Sequence, residues 1–199
     1  MKIYIDFDDV ICETGKYFTK IAKDLFGIDV PYNQVQFFNL QKTFDLDDSQ
    51  YDELMRVGHL PQNLLAYEET LGASDTINKW IDEGHEVSVI TGRPFEAYAP
   101  SREWLDKHHL ERAPLYCVDK YGRENFVLDS TFNLKLKDLY EMTFDFAIED
   151  SPAAFEHVMH FADCKVAIYN RPWNQQAKLP NDLFRRCNNW QDIDKYFRG

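Results

Sequence analysis

The feature that most constrains the fold is a regular alternation of apolar segments with segments of helical periodicity from about residue 74 onward. Buried strands are predicted at "VSVI" (87–90), "LYCV" (115–118), "FDFAIED" (144–150) and "KVAIY" (165–169). Helices are predicted between and around them, at about 74–83, 98–108, 134–142, 152–161 and 193–197. Strands that alternate with helices of this length form βαβ units. The sequence therefore predicts an α/β fold with a doubly wound, Rossmann-like parallel sheet.

The N-terminal part adds one strand and a region of different character. The segment "KIYI" is a predicted strand that ends at Asp6, and helical spacing from Thr14 predicts a helix that stops at Gly27. The residues after this helix are less regular, with a second helix predicted from about Asp47. The predicted domains are a core of residues 1–13 and 75–199 and a small, mainly helical cap insertion of residues 14–74.

Composition narrows the range of partners. The chain of 199 residues has a formal net charge of −12, which argues against binding to long nucleic acid because such binding needs a basic face. No apolar run is long enough to span a membrane, and the first residues lack the pattern of a signal peptide, so we expect a cytoplasmic protein. The four cysteines are widely spaced and are expected to be reduced. A small anionic substrate remains compatible with the charge, since a bound metal can reverse the local field.

Polar residues of particular types follow three of the predicted strands. They are Asp6, Asp8 and Asp9 after the first, Thr91, Gly92 and Arg93 after "VSVI", and Glu149 and Asp150 at the end of a later one. In a parallel sheet these strand ends meet at one edge, where ligands bind. Clustered carboxylates repel one another unless a cation lies between them, and a site of carboxylate oxygens without histidine or cysteine suits Mg²⁺.

These residue types also suit the transfer of a phosphoryl group. An ionised Asp6 can attack phosphorus, and Asp8 can protonate the leaving oxygen and later activate water. Thr91 and a lysine, either Lys135 or Lys137, can donate to the phosphoryl oxygens and neutralise their charge.

The order of these motifs resembles the haloacid dehalogenase (HAD) superfamily of phosphohydrolases. The resemblance rests on D-x-D-x-V after the first strand, a threonine at the end of a later strand, a downstream lysine and an acidic pair. The small insertion after the first motif, together with "TGRP", "IEDSP" and "YNRPWN", is most similar to the 5′(3′)-deoxyribonucleotidase branch and its bacterial relatives.

The resemblance implies a role for each matching residue. Asp6 would be the nucleophile and a Mg²⁺ ligand, and Asp8 the acid and base, which also binds the metal through its backbone carbonyl. Asp150 would be a further metal ligand, and Thr91 would hold the transferring phosphoryl group. The family's spacing favours Lys135 over Lys137 as the lysine that neutralises it.

The sequence departs from the pattern at two positions. Asp9 stands where many relatives have glycine at a sharp turn, and aspartate tolerates the left-handed conformation less well than glycine. Glu149 replaces the commoner glycine or aspartate at the start of the acidic pair, which leaves its part in metal binding open.

Other residues are candidates for contact with the rest of the substrate. Phe37 and Phe38 could stack on a nucleobase or form the core of the cap. Gly92 and Arg93 are expected at the substrate, although Arg93 could instead pair with a neighbouring acid. Trp173 follows a strand and either borders the site or packs under the sheet edge.

The function that the sequence favours is a Mg²⁺-dependent phosphomonoesterase that works through an aspartyl-phosphate, most simply a 5′(3′)-deoxyribonucleotidase acting on nucleoside monophosphates. A phosphatase for a sugar phosphate or another small metabolite is the enzymatic alternative, because the core handles only the phosphoryl group. A catalytically silent, nucleotide-binding HAD-like domain is another. A signalling receiver-like domain also clusters strand-end acids around Mg²⁺, but it carries its phosphorylated aspartate on a middle strand and lacks a cap. The sequence does not indicate the oligomeric state.

Overall fold

The computed structural model describes residues 1–122 and 132–199. In this part of the chain, seven parallel strands form one sheet. The strands are β1 (Lys2–Ile5), β2 (Glu86–Thr91), β3 (Leu115–Val118), β4 (Asn133–Leu134), β5 (Phe146–Glu149), β6 (Lys165–Tyr169) and β7 (Phe184–Cys187). Their order is β4-β3-β2-β1-β5-β6-β7, so the first strand lies at the centre. This confirms the predicted doubly wound α/β fold.

Helices cover both faces of the sheet and form the insertion after β1. They are α1 (Thr14–Phe26), α2 (Leu40–Phe44), α3 (Asp48–Gly58), α4 (Pro61–Leu64), α5 (Ala73–Asp82), α6 (Tyr98–Lys107), α7 (Leu136–Glu141), α8 (Phe155–Val158) and α9 (Trp190–Arg198). The predicted end of α1 is confirmed, because Gly27 adopts a left-handed conformation with φ of 71°. The helix predicted at 152–161 is shorter, with a 3-10 turn, Pro152–Ala154, before α8. No helix within the described ranges is long and apolar enough to cross a membrane.

The central strand is buried on both faces. Ile3 and Ile5 belong to one hydrophobic cluster, whereas Tyr4 between them belongs to another on the opposite face. This alternation follows from the period of two residues in a strand. Both faces of β1 are therefore covered, as a parallel sheet requires.

The insertion has a small hydrophobic cluster of its own. Its buried members are Phe18, Ala22, Phe44, Leu46 and Leu54. The later residues of the predicted cap belong to another hydrophobic cluster: Leu64, Tyr67 and Ala73 pack in the large cluster on the sheet. The domain boundaries at 14 and 74 stay a prediction.

Candidate active site

Three strand ends meet at one edge of the sheet, because β2, β1 and β5 are neighbours and run parallel. Asp6 follows β1, Thr91 ends β2, and Asp150 follows β5. The Asp6 backbone N–H donates to the carbonyl of Ile148 at 3.0 Å, which extends the pairing of β1 with β5 to the acid itself. The parallel sheet thus brings together residues that are far apart in the sequence.

The lysine beside Asp6 is Lys120. Its Nζ lies 2.6 Å from Asp6 Oδ1 and 2.7 Å from Glu149 Oε1, and its side chain has no exposed surface. The structure does not bring the predicted Lys135 to Asp6: Lys135 is exposed at the start of α7, where its backbone N–H donates to Asp138. Lys137 is exposed as well. Lys120 lies two residues after the inner strand β3, whereas Lys135 and Lys137 follow β4 at the sheet's margin, farther from β1.

Three buried carboxylates form an acidic triad, namely Asp6, Glu149 and Asp150, with one oxygen from each within 4.8 Å of the others. Burial raises the pKa of Asp6 well above its usual value, and the charge of Glu149 adds to the effect. Burial also raises the pKa of Asp150, followed by the charge of Asp6. Glu149 Oε2 is buried without a hydrogen-bond partner among the described residues. A hard divalent cation fits this set, because it would relieve the repulsion and occupy the unpaired oxygen.

The triad differs from the predicted metal ligands at one position. Glu149 takes part through its side chain, whereas the Asp8 carboxylate is engaged elsewhere. The predicted contact of the Asp8 backbone carbonyl with the metal stays a prediction.

Arg93 holds the carboxylate of Asp8. Its Nε lies 3.1 and 3.0 Å from the two oxygens, and its Nη2 lies 2.6 Å from Oδ1. The guanidinium also donates to Ser101 Oγ at 2.7 Å and lies 4.0 Å above the Phe7 ring. Burial alone would raise the pKa of Asp8, but the charge and hydrogen bonds of Arg93 hold it below the usual value. Of the two interpretations of Arg93, pairing with a neighbouring acid is the one that the geometry shows.

Two threonine hydroxyls also face Asp8. Thr91 is fully buried; its Oγ1 lies 3.5 Å from Asp8 Oδ2 and accepts the Arg93 backbone N–H at 3.1 Å. Thr14, the first residue of α1, donates to Asp8 Oδ1. Asp8 is thus oriented by side chains from β2, from the loop that follows it and from α1.

Asp9 occupies a sharp turn with φ of 57°, which confirms the left-handed position inferred from the sequence. Its carboxylate accepts the Gly15 backbone N–H at 3.0 and 2.9 Å, and its carbonyl accepts Arg171 Nε at 2.6 Å. These bonds stabilise a conformation that glycine would adopt without cost. Burial raises the pKa of Asp9 to about 7, against the opposing charge of Arg171.

A cavity of about 570 Å³ opens beside Asp6, Asp8 and Asp150. Its apolar lining includes Phe18, Phe38, Leu40, Tyr51, Met55 and Tyr67. Gly92 lines it too, and the absence of a side chain there matters because a Cβ would lie 2.6 Å from the Tyr121 ring. Phe38 and Tyr121 lie 5.9 Å apart between ring centroids. Phe37 is not brought to the cavity; its ring packs against Lys42 Nζ at 3.8 Å.

Trp173 borders the site. Its indole N–H donates to Asp150 Oδ2 at 2.9 Å, and its ring lines the cavity. Sequence reasoning left this position open, and it missed Lys120 altogether. The signal for Lys120 was present in the sequence, since "DK" directly follows the predicted strand "LYCV" at the edge where the acids collect.

Comparison with known proteins assigns the chain to a family. The family described as 5′ nucleotidase, deoxy (pyrimidine), cytosolic type C protein matches residues 1–198. The chain belongs to this family. It is therefore a HAD-type hydrolase of phosphoric monoesters, with a small phosphorylated molecule as its substrate. No curated protein matches the chain.

Solved structures share the fold over nearly the whole chain. A predicted phosphoglycolate phosphatase from Haemophilus somnus is 14% identical with a TM-score of 0.62, covering 98% of this chain and 96% of its own. A predicted phosphatase from Clostridium acetobutylicum is 12% identical with a TM-score of 0.60, covering 99% and 97%. A HAD hydrolase of family IA, variant 3, from Entamoeba histolytica is 11% identical with a TM-score of 0.57, covering 100% and 99%. At these identities the likeness is one of fold.

Proposed function

We propose that the protein is a Mg²⁺-dependent phosphomonoesterase that works through an aspartyl-phosphate on Asp6, and that it acts on deoxyribonucleoside monophosphates. The observation that carries the proposal is the buried contact of Lys120 with Asp6 in the acidic triad, of which Asp6 and Asp150 line a cavity of about 570 Å³. The family's description as cytosolic supports a cytoplasmic location.

The proposed reaction has two steps. An Asp6 oxygen attacks phosphorus, and the leaving oxygen takes a proton from Asp8. Asp8 has to take up this proton as the substrate binds, because Arg93 lowers its pKa in the free chain. Asp8 then accepts a proton from water, whose oxygen attacks the same phosphorus, releasing phosphate and restoring the Asp6 carboxylate. Lys120 and Thr91 donate to the phosphoryl oxygens while their charge develops.

The metal would be held by Asp6, Glu149 and Asp150. When bound, Mg²⁺ would neutralise phosphoryl charge and orient the group for attack. Glu149 Oε2 supports this assignment: it is buried and has no hydrogen-bond partner among the described residues, and such an oxygen is costly unless a cation or another donor meets it.

The aromatic side chains of the cavity favour a nucleoside over a sugar as the leaving group. A base can stack on the half-exposed Phe38 ring, which lines the cavity, whereas a sugar has no aromatic face to stack there. Such stacking contributes about 1–3 kcal/mol per base. The family description points to the same class of substrate.

A phosphate-release screen with Mg²⁺ tests the proposal. The panel contains nucleoside 5′- and 3′-monophosphates in ribo and deoxy forms, sugar phosphates and an aryl phosphate. We expect the highest kcat/KM with deoxyribonucleotides. A preference for sugar phosphates would overturn the nucleotidase assignment and keep the mechanism, whereas nucleotide binding without release of phosphate from any compound would identify a silent domain.

Replacement of the proposed nucleophile tests the mechanism. Asp6→Asn is expected to lower kcat by about 1,000-fold or more, because the amide cannot form the phosphoenzyme. Asp24→Asn is the matched control, since Asp24 is exposed on α1. Trapping the phosphoenzyme by acid quench and mass spectrometry should find phosphate on Asp6 in the wild type. Full activity of Asp6→Asn would refute the nucleophile assignment.

A further inference from the structure

The turn after β6 holds Asp150 at two points. The indole N–H of Trp173 donates to Asp150 Oδ2 at 2.9 Å, and Asn174 Nδ2 donates to the Asp150 backbone carbonyl at 2.7 Å. Two consecutive residues of a neighbouring loop therefore fix both the side chain and the main chain of one member of the acidic triad.

The turn is itself anchored on the protein interior. Asn174 is fully buried; its Nδ2 also donates to the Tyr169 carbonyl at 2.8 Å, and its Oδ1 accepts Arg186 Nη1 at 2.8 Å and the Arg171 backbone N–H at 3.2 Å. With these bonds Asn174 cannot rotate without losing several partners. The position of Trp173, the preceding residue, is fixed in consequence.

The indole ring is confined from the other side by Tyr32 and by Gly15 of α1. Its ring meets Tyr32 edge-on, with 5.9 Å between centroids and an interplanar angle of 89°. A Cβ at Gly15 would lie only 3.0 Å from the indole and 3.1 Å from the Tyr32 ring. The close approach of α1 therefore leaves Trp173 little room to turn away from Asp150.

We propose that Trp173 is a positioning residue for metal binding: its N–H fixes the rotation of the Asp150 carboxylate before the cation arrives. The inference rests on the proposed function, since it takes the acidic triad as the Mg²⁺ site. A ligand that is oriented in advance loses less rotamer entropy on binding, and hydrogen bonds of this kind to a ligating carboxylate raise metal affinity about 10–100-fold.

Trp173→Phe tests the inference, because it removes the N–H and keeps an aromatic ring. Titration calorimetry with Mg²⁺ alone is expected to give a Kd about 10–100-fold higher than that of the wild type. Trp80→Phe is the matched control: it removes an indole N–H bond of the same kind, to Asp194 Oδ1 at 2.7 Å, between α5 and α9. Its Mg²⁺ affinity should equal that of the wild type. A Trp173→Phe affinity within twofold of the wild type would overturn the inference.

A second measurement needs no variant. The four tryptophans give four indole N–H signals in a spectrum of ¹⁵N-labelled wild type. The Trp173 signal is identified by its nuclear Overhauser contacts to the Tyr32 ring. Its chemical shift should change as Mg²⁺ is added, and the titration curve should give the same Kd as calorimetry. An unchanged chemical shift at saturating Mg²⁺ would overturn the inference. These measurements distinguish a failure of the inference from a failure of the proposed function. A wild type that binds Mg²⁺ but releases no phosphate would refute the proposed function and leave Trp173 as a positioning residue at a silent metal site. A wild type without Mg²⁺ affinity would overturn the inference together with the metal assignment.

Discussion

At the scale of single residues, the neighbours of Asp6 compensate its buried negative charge. Asp6, Glu149 and Asp150 lie together in a buried place, and Lys120 supplies one positive charge within hydrogen-bond distance of two of them. Among residues 1–122 and 132–199, no other cationic side chain lies within 4.0 Å of this triad, and one cation does not balance three carboxylates if all are ionised. A divalent metal would make up the difference, which is why the contacts of Lys120 and the metal assignment support each other.

Substitutions of Lys120 and of Lys135 test which of these two lysines neutralises the charge of the phosphoryl group. Lys120→Met is expected to lower kcat by about 100–1,000-fold, because a donor to the developing phosphoryl charge is lost. It should also destabilise the fold by about 3–5 kcal/mol, since Asp6 and Glu149 lose their buried partner. Lys135→Met should leave both quantities unchanged, because Lys135 is exposed. Steady-state kinetics and urea unfolding measure both, and a selective loss of activity in Lys135→Met would restore the assignment made from sequence.

Arg93 offers a second test, between positioning an acid and binding substrate. Arg93→Lys loses the paired hydrogen bonds to Asp8, because an ammonium cannot reproduce the guanidinium fork. We expect kcat to fall about 10–100-fold with KM changed by less than about twofold. Ser101→Ala, which removes only a partner of Arg93, should show a smaller fall of the same kind. A raised KM with unchanged kcat would instead identify Arg93 as a substrate-binding residue.

The residues that could be predicted from sequence are those whose position follows from a strand end. Asp6, Thr91 and Asp150 come directly at or after apolar segments, and a parallel sheet must bring such ends together. Lys120 obeys the same rule, but spacing along the chain favoured Lys135, and spacing does not report distance across a sheet. The partners of Asp8 could not be predicted, because whether Arg93 turns toward substrate or toward an acid depends on side-chain packing that one sequence does not reveal.

At the scale of elements, periodicity predicted the five inner strands and failed for β4 and β7, the two at the margins of the sheet. β1, β2, β3, β5 and β6 were all expected from their apolar runs. β7 has the sequence "FRRC", with two arginines in the middle, and lies at the edge of the sheet, where burial is incomplete. Its assignment depends on pairing with β6, which is a tertiary interaction.

The packing of α1 on α3 gives an element-scale prediction. Gly58, the last residue of α3, faces the Phe18 ring of α1 so closely that a Cβ would lie 2.4 Å from it. Gly58→Ala should therefore destabilise the protein by about 1–2 kcal/mol, because overpacking outweighs the gain in helix propensity. Arg56→Ala on the exposed face of α3 should change stability by less than about 0.5 kcal/mol. Urea unfolding measures both, and a stabilised Gly58→Ala would show that the two helices can separate at no cost.

At the scale of the whole molecule, the acidic composition and the acidic triad both add an electrostatic cost to folding. The chain carries a formal net charge of −12, and part of that charge is concentrated at one buried edge of the sheet. Folding must bring these carboxylates together and take them out of water, which costs free energy in the absence of a cation. Any ion that binds the folded chain and not the unfolded one recovers part of that cost.

Removal and return of Mg²⁺ should therefore change global stability. Relative to protein treated with EDTA, Mg²⁺ at 100 times its Kd should stabilise the fold by about 2.7 kcal/mol. For a chain of this size that corresponds to an increase in Tm of roughly 5–10 °C by calorimetry. Asp150→Asn, which removes one carboxylate from the acidic triad, should show a much smaller increase at the same Mg²⁺ concentration, because the ion binds it less tightly. An equal increase in the wild type and in Asp150→Asn would mean that Mg²⁺ acts by screening the net charge, and that the acidic triad is not its site.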